Sequence, residues 1–83
     1  MATASEQAEA NLRRGRTQGI MLAGLREARM DAGYSLADLE VESGIPAATI
    51  SRLELMRRGA LGRTARALAQ ALGVTVKELR ESR

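Results

Sequence analysis

Apolar residues recur at three- and four-residue spacing in five stretches of the chain, and short polar or glycine-containing segments separate these stretches. Such spacing predicts amphipathic helices that each turn one apolar face towards a shared core. The predicted helices span 20–32, 35–43, 46 to 55 or 56, 63–72, and a short segment after Thr75. The pattern therefore predicts an all-α fold, a compact bundle of five short helices.

The inward face of each predicted helix is aliphatic, as a chain with one Tyr and no Phe or Trp requires. The residues predicted to face inward are Met21, Leu22, Leu25, Ala28, Arg29, Ala32, Leu36, Leu39, Ser43, Ile45, Ile50, Leu53, Ala65, Leu68, Ala69, Leu72, Val76 and Leu79. Arg29 is the exception among them, because a cation on a core-facing surface needs a carboxylate partner. Val41 falls off the apolar face of the second helix, so it is either partly exposed or in contact with the first helix.

The second and third helices meet in a very short connection. Ser35-x-x-Asp38 is a capping box that begins the second helix, Gly44 ends it, and Pro46 suits the first turn of the third, where its missing amide costs nothing. Two helices joined by about three residues cross steeply, so residues 35–54 are predicted to form a helix-turn-helix unit. The other predicted helix ends are Gly33, Gly59, Gly62, Gly73 and the capping box Thr75-x-x-Glu78.

The composition excludes several kinds of function. The chain has 83 residues, no Cys and no His, so thiolate metal sites are impossible and the usual general base at neutral pH is missing. These absences argue against a metalloenzyme and a His-based triad but leave open an enzyme that uses carboxylates alone. Because the acidic residues lie singly at helix caps and on exposed faces, we predict no enzymatic activity, and we also expect no metal, cofactor or small-molecule ligand. No apolar run approaches the ~20 residues of a membrane span, and the N-terminus lacks the apolar centre of a signal peptide, so we expect a cytoplasmic protein without a membrane partner.

The net charge of +3 comes from basic clusters that flank the helix-turn-helix unit. Residues 35–54 contain one Arg against four acidic residues, whereas residues 57–66 contain four Arg and no acidic residue. The other cluster, Arg13, Arg14 and Arg16, lies in a polar segment over 1–19 that we predict to be a flexible basic arm before a domain over 20–83. The arm is either a solvated tail or a segment that neutralises phosphates or enters a minor groove.

The outward face of the third predicted helix is made of small and polar residues, which permit close approach to another surface. These residues are Ala47, Ala48, Thr49, Ser51 and Arg52. Ala and Thr can contact a thymine methyl group, Ser can bond a base or a phosphate, and Arg can bond two acceptors of guanine. Together with the flanking arginines, this face predicts binding to double-stranded DNA.

The motifs together resemble the Cro and phage-repressor type of helix-turn-helix domain, often called the XRE family, with a lambda-repressor-like fold. The resemblance covers residues 22–79 without insertion or deletion and rests on the segments LREAR…GYSLADL, SGIPAATISRLE and ALAQALGVTVKEL. It implies a buried structural ion pair between Arg29 and Glu54. It also implies DNA base contacts from Ala47, Ala48, Ser51 and Arg52, and DNA backbone contacts from Thr49, Arg57 and Arg58.

Four departures from the family pattern affect this interpretation. Leu36 occupies a position where the family often has Gln, and Glu40 one where it usually has Ala. Pro46 occupies the position of the usual Ser or Thr cap, and Met56 and Ala60 occupy the positions of a common Gly and Pro. Glu40 lies at a crowded place against the third helix, so we expect its side chain to extend into solvent or to pair, with Arg52 as the candidate. Because the DNA-facing residues differ, the binding sites of relatives cannot be transferred.

The resemblance implies a sequence-specific transcriptional repressor of a phage, a prophage, a plasmid or a bacterial chromosome, acting at the nucleoid or in a phage-infected host. Such domains bind as two-fold dimers on half-sites about one helical turn apart. A homodimer is therefore expected, with the fifth helix and the exposed end of the fourth as its surface. The alternative is a protein-binding adaptor, which the acidic residues Asp38, Glu40 and Glu42 favour, or an antitoxin that binds a toxin through the N-terminal segment.

Overall fold

Five helices make up most of residues 19–81, the part of the chain that the computed structural model describes. They are α1 (Leu25–Asp31), α2 (Leu36–Ser43), α3 (Ala47–Glu54), α4 (Gly62–Leu72) and α5 (Val76–Arg80). The only extended pairing within residues 19–81 is one antiparallel bridge between Ile20 and Ala60. The predicted all-α fold of five short helices is confirmed. No helix of this part of the chain is long and apolar enough to cross a membrane.

A single aliphatic core joins the five helices. α2 packs against α3 and α4, α5 packs against α4 and α1, and α1 also contacts α3. The buried apolar residues are Leu22, Leu25, Leu39, Ile50, Leu53, Ala60, Ala65, Leu68, Ala69 and Leu79. Val41 lies outside this core with 80% of its surface exposed, so the predicted alternative of an exposed side chain is correct.

The first helix is shorter than its predicted span of 20–32, because backbone pairing holds residues 19–24 in another conformation. Ile20 exchanges two hydrogen bonds with Ala60, at N···O distances of 2.8 and 2.7 Å. The amide of Gly24 donates to the carbonyl of Leu79 at 2.8 Å. The helix therefore begins only at Leu25, whose amide donates back to the carbonyl of Leu22 at 3.1 Å.

The remaining predicted boundaries are correct to within one or two residues. Gly62, predicted to interrupt helix, is the first residue of α4, and α3 begins at Ala47 because Pro46 occupies the N-cap position. Met21 and Ala32, both predicted to face inward, are exposed. The predicted helix ends at Gly33, Gly44 and Gly73 are confirmed, and these glycines have φ values of 76°, 75° and 68°.

Met56, which follows α3 in the chain, has a φ of 60°, whereas every other residue with positive φ in 19–81 is a glycine. Left-handed backbone costs an L-residue roughly 1–2 kcal/mol, while the greater freedom of glycine in the unfolded chain costs about 0.5–1 kcal/mol. We therefore expect Met56→Gly to raise the free energy of unfolding by up to about 1 kcal/mol, measured by urea denaturation. Met56→Ala keeps the β-carbon, so an equal gain from alanine would contradict a backbone origin.

Candidate nucleic-acid interface

The first helix of the helix-turn-helix unit begins with the predicted capping box. The amide of Asp38 donates to Ser35 Oγ at 3.0 Å, and the amide of Ser35 donates to Asp38 Oδ2 at 2.9 Å. The bond from the Ser35 amide lowers the pKa of Asp38, because it favours the charged carboxylate. This reciprocal pair fixes where α2 begins.

The turn between α2 and α3 is only three residues long, 44–46, and α2 itself holds it in shape. Gly44 has a φ of 75°, a left-handed conformation that residues with a β-carbon rarely adopt. Ser43 Oγ donates to the carbonyl of Leu39 at 2.6 Å and accepts from the amide of Ile45 at 3.1 Å. The direction in which α3 leaves α2 is therefore set by both the backbone and a side chain.

Glu40 of α2 binds the first residue of α3. Its Oε1 accepts from the amide of Ala47 at 2.6 Å, and its side chain remains exposed. This bond replaces the N-terminal cap that Pro46 cannot supply, since proline has no side-chain acceptor. Within residues 19–81 no ion pair joins Glu40 to Arg52, so of the two predicted alternatives the pairing is wrong, whereas the side chain does extend into solvent.

α3 has one buried and one outer side. The buried side carries Ile50 and Leu53, both almost completely inaccessible. We define the outer face of α3 as the four predicted base-contacting residues Ala47, Ala48, Ser51 and Arg52. At about 100° per residue these four positions span roughly 140° of the helix circumference, away from Ile50. Ala48 and Arg52 are exposed, and the other two are half-buried.

The residues predicted to contact the DNA backbone lie beside this outer face. Thr49 and Arg58 line one shallow cleft between α3 and the loop that follows it. Arg57 and Arg58 are both exposed. Neither of them, nor Arg52, forms an ion pair with another residue of the described chain. Three positive charges at this edge of the domain can therefore interact with an external anion.

The loop after α3 is fixed to the first described residues of the chain. A β-carbon built on Gly59 would lie 2.2 Å from the carbonyl carbon of Gly19, so the two backbones touch where neither residue has a side chain. The bridge between Ile20 and Ala60 lies next to this contact. The chain therefore enters the domain beside the basic loop. Arg13, Arg14 and Arg16 of the predicted arm lie outside the described residues.

Arg29 and Glu54 connect α1 to the C-terminal end of α3. Arg29 Nε lies 2.6 Å from Glu54 Oε2 and Nη2 lies 3.0 Å from Oε1, while Nη1 donates to the carbonyl of Tyr34 at 2.8 Å. The side chains are only 13% and 7% exposed. The hydrogen bonds with Glu54 raise the pKa of Arg29. A carboxylate at a helix C-terminus opposes the helix dipole, and the arginine offsets this charge.

Two structural features of this region are missing from the sequence-based predictions. The cap of α3 by Glu40 has a signal in the sequence, since an unexpected carboxylate and an N-cap without an acceptor occur six residues apart. The contact between Gly19 and Gly59 has no such signal, because two glycines far apart in the chain show no local pattern.

The fold and the outer face of α3 define a helix-turn-helix domain. A family model described as helix-turn-helix matches residues 25–79, which is more than half of the chain. The chain therefore belongs to the Cro/C1-type helix-turn-helix family, also called the XRE family. This is a family of DNA-binding regulatory domains and is not typically enzymatic. No curated protein and no solved structure was found to match the chain.

Proposed function

We propose that this protein is a sequence-specific transcriptional repressor that places α3 in the major groove of double-stranded DNA. The observation that carries the proposal is the outer face of α3, whose small side chains let the helix backbone approach base edges closely. The major groove, about 12 Å wide, admits an α-helix. A domain bound there covers the DNA against other proteins, which is the simplest way for a small regulator to repress transcription.

The outer face of α3 offers a different contact at each position. Ala47 and Ala48 can touch thymine methyl groups, and Ser51 can bond a base edge. Arg52 is the longest of the four side chains, is exposed and has no ion-pair partner within residues 19–81. Its fork of donors suits the two acceptors of guanine, so we assign it the most specific of these contacts.

Phosphate contacts come from the edge beside this face. Thr49 of α3 shares a cleft with Arg58 of the following loop, where Arg57 also lies, and these three residues can bond one DNA strand. The arm residues Arg13, Arg14 and Arg16 precede Gly19, which touches this loop at Gly59. Arg16 is three residues before Gly19 in the sequence, and three extended residues span at most roughly 10 Å, so we propose that Arg16 binds the same strand. This attachment favours a phosphate-binding arm over a solvated tail.

We further propose that the protein binds as a homodimer on two half-sites about one helical turn apart. The α4–α5 region is the candidate surface, because an open groove there combines apolar and polar residues, namely Ala67, Ala69, Val74 and Val76 with Arg63, Arg66 and Gln70. A regulator of this kind acts in the bacterial cytoplasm, at the nucleoid or on the genome of an infecting phage. Selection of bound fragments from random duplex DNA, followed by footprinting, would give the motif and the half-site spacing.

The salt dependence of binding tests the proposal directly. We expect log Kd for a duplex fragment to change linearly with log salt concentration, by about 0.9 for each phosphate contact. Fluorescence anisotropy with a labelled duplex between roughly 50 and 200 mM salt measures this slope. Absence of binding at the lowest salt concentration would contradict DNA recognition altogether.

Arg52→Ala and Arg57→Ala should affect binding in different ways. Arg52→Ala is expected to cost roughly 1–3 kcal/mol on the best site and to relax the preference at one base pair. Arg57→Ala should weaken binding to all sequences alike and reduce the salt slope by about 1. Competition anisotropy with matched and mismatched duplexes separates the two effects. If both variants lose affinity uniformly, Arg52 does not contact a base.

A protein-binding adaptor, including an antitoxin, is the second candidate, and one surface favours it. Val41 is 80% exposed on α2 and is surrounded in sequence by the exposed residues Asp38, Glu40 and Glu42. An apolar side chain among carboxylates suits a basic protein surface better than a polyanion. Val41→Lys leaves the outer face of α3 intact, so unchanged DNA binding by this variant would show that Val41 itself takes no part in DNA recognition.

A further inference from the structure

The carboxylate of Glu40 has one oxygen engaged and one free. Oε1 accepts from the amide of Ala47 at 2.6 Å, and within residues 19–81 no donor bonds to Oε2. The side chain is exposed, so Oε2 is open to solvent at the N-terminal end of α3. Because Oε1 is held by the backbone, the position of Oε2 is fixed to within the short reach of one carboxyl group.

The residues next to this oxygen leave room for a base. Ala47 and Ala48 are the first two residues of α3, and neither carries a side chain longer than a methyl group. Their side chains cannot hydrogen-bond to a base edge, so any polar side-chain contact at this end of the helix must come from another residue. Glu40 is the side chain that the structure places there.

A negative charge in this position must meet a donor when DNA binds. If it faced phosphates or base acceptors, the carboxylate of Glu40 would be repelled, and it would lose its water without gaining a hydrogen bond. In the major groove, cytosine presents only the N4 amine donor, whereas adenine pairs its donor with the N7 acceptor and guanine presents acceptors alone. Carboxylates accordingly accept from cytosine N4.

We propose that Glu40 is a specificity-determining residue that accepts a hydrogen bond from cytosine N4 at the base pair facing the N-terminal end of α3. This inference rests on the proposed DNA-binding function and adds one base to its recognition. Oε1 holds the helix, and Oε2 reads the base.

Glu40→Gln tests the proposal because it replaces Oε2 and can keep the oxygen that caps α3. The amide oxygen of Gln can still accept from Ala47, which leaves an NH₂ donor where Oε2 was. Glu42→Gln is the matched control, since it removes the same charge from an exposed residue of α2 that makes no hydrogen bond to α3. Selection from random duplex DNA with the wild type and both variants gives the motifs, and thermal unfolding checks the fold of each.

We expect the wild type and Glu42→Gln to enrich the same motif, with cytosine at one position of each half-site. Glu40→Gln should lose this cytosine by about 5- to 100-fold in relative affinity and prefer guanine or thymine there, with the other positions unchanged. An unchanged motif for Glu40→Gln would overturn the proposal. Glu40→Ala is selected in the same way as a third variant. The proposal would also be overturned if Glu40→Ala lost preference at every position and Glu40→Gln recovered it fully, because Glu40 would then act only as a helix cap.

The two proposals fail in distinguishable ways. If the wild type enriches no motif at all, the proposed function is contradicted and the inference falls with it. If the wild type enriches a motif that Glu40→Gln reproduces in full, sequence-specific binding stands and only the assignment of Glu40 is wrong.

Discussion

Arg29→Met is expected to lower the free energy of unfolding by about 3–5 kcal/mol, and Glu54→Ala by a similar amount, because each leaves the other charge buried and unpaired. The two side chains are 13% and 7% exposed and bond to each other twice. Arg29→Met also leaves the carbonyl of Tyr34 without its donor. A chain of this length is stable by only about 4–12 kcal/mol, so either loss is a large part of the total. Urea unfolding followed by circular dichroism measures it.

The double variant Arg29→Met/Glu54→Leu provides the control for this prediction. Apolar replacement of a buried pair is often close to neutral, so the double variant should be more stable than either single variant. Arg26→Met removes an exposed charge from the same helix and should change stability by no more than about 0.5 kcal/mol. Near-wild-type stability of both single variants would show that the pair does not hold α1 to α3.

The helix-turn-helix unit could be predicted because its determinants are local. The capping box, Gly44 and the apolar positions that include Leu39, Ile50 and Leu53 all lie within 20 residues of one another. The ion pair is different, since its partners are 25 residues apart. The apolar pattern indicates that Arg29 needs a carboxylate, but only the resemblance to the family identifies which one.

Two of the predictions that are wrong involve hydrogen bonds to backbone atoms. The apolar spacing of the first helix continues back to Ile20, yet the residues before Leu25 bond to segments some 40 and 55 positions away. For Glu40 the sequence predicts either extension into solvent or a pair with Arg52; the side chain is exposed, and it accepts from an amide of α3 instead of pairing with Arg52. Main-chain partners such as Ala60 and Leu79 leave no trace in a pattern of side chains, so they emerge only when the helices are assembled.

Gly24 lies where the chain entering α1 touches the end of α5, and Gly24→Ala is expected to lower the free energy of unfolding by about 1–3 kcal/mol. A β-carbon on Gly24 would lie 2.3 Å from the carbonyl oxygen of Glu81 and 2.8 Å from that of Glu78. Both atoms belong to backbone, so relief requires α5 to move. That movement would break the 2.8 Å bond from the Gly24 amide and withdraw Leu79 from the core.

Gly62→Ala is the matched control, because it makes the same chemical change where no atom lies within 4 Å of the added carbon. Gly62 is the first residue of α4, and alanine favours helix over glycine, so this variant should be unchanged or more stable by up to about 1 kcal/mol. The two substitutions should therefore shift the urea midpoint in opposite directions. Equal midpoints for both variants would mean that the end of α5 does not rest on Gly24, since backbone contact there is the reason for expecting different effects.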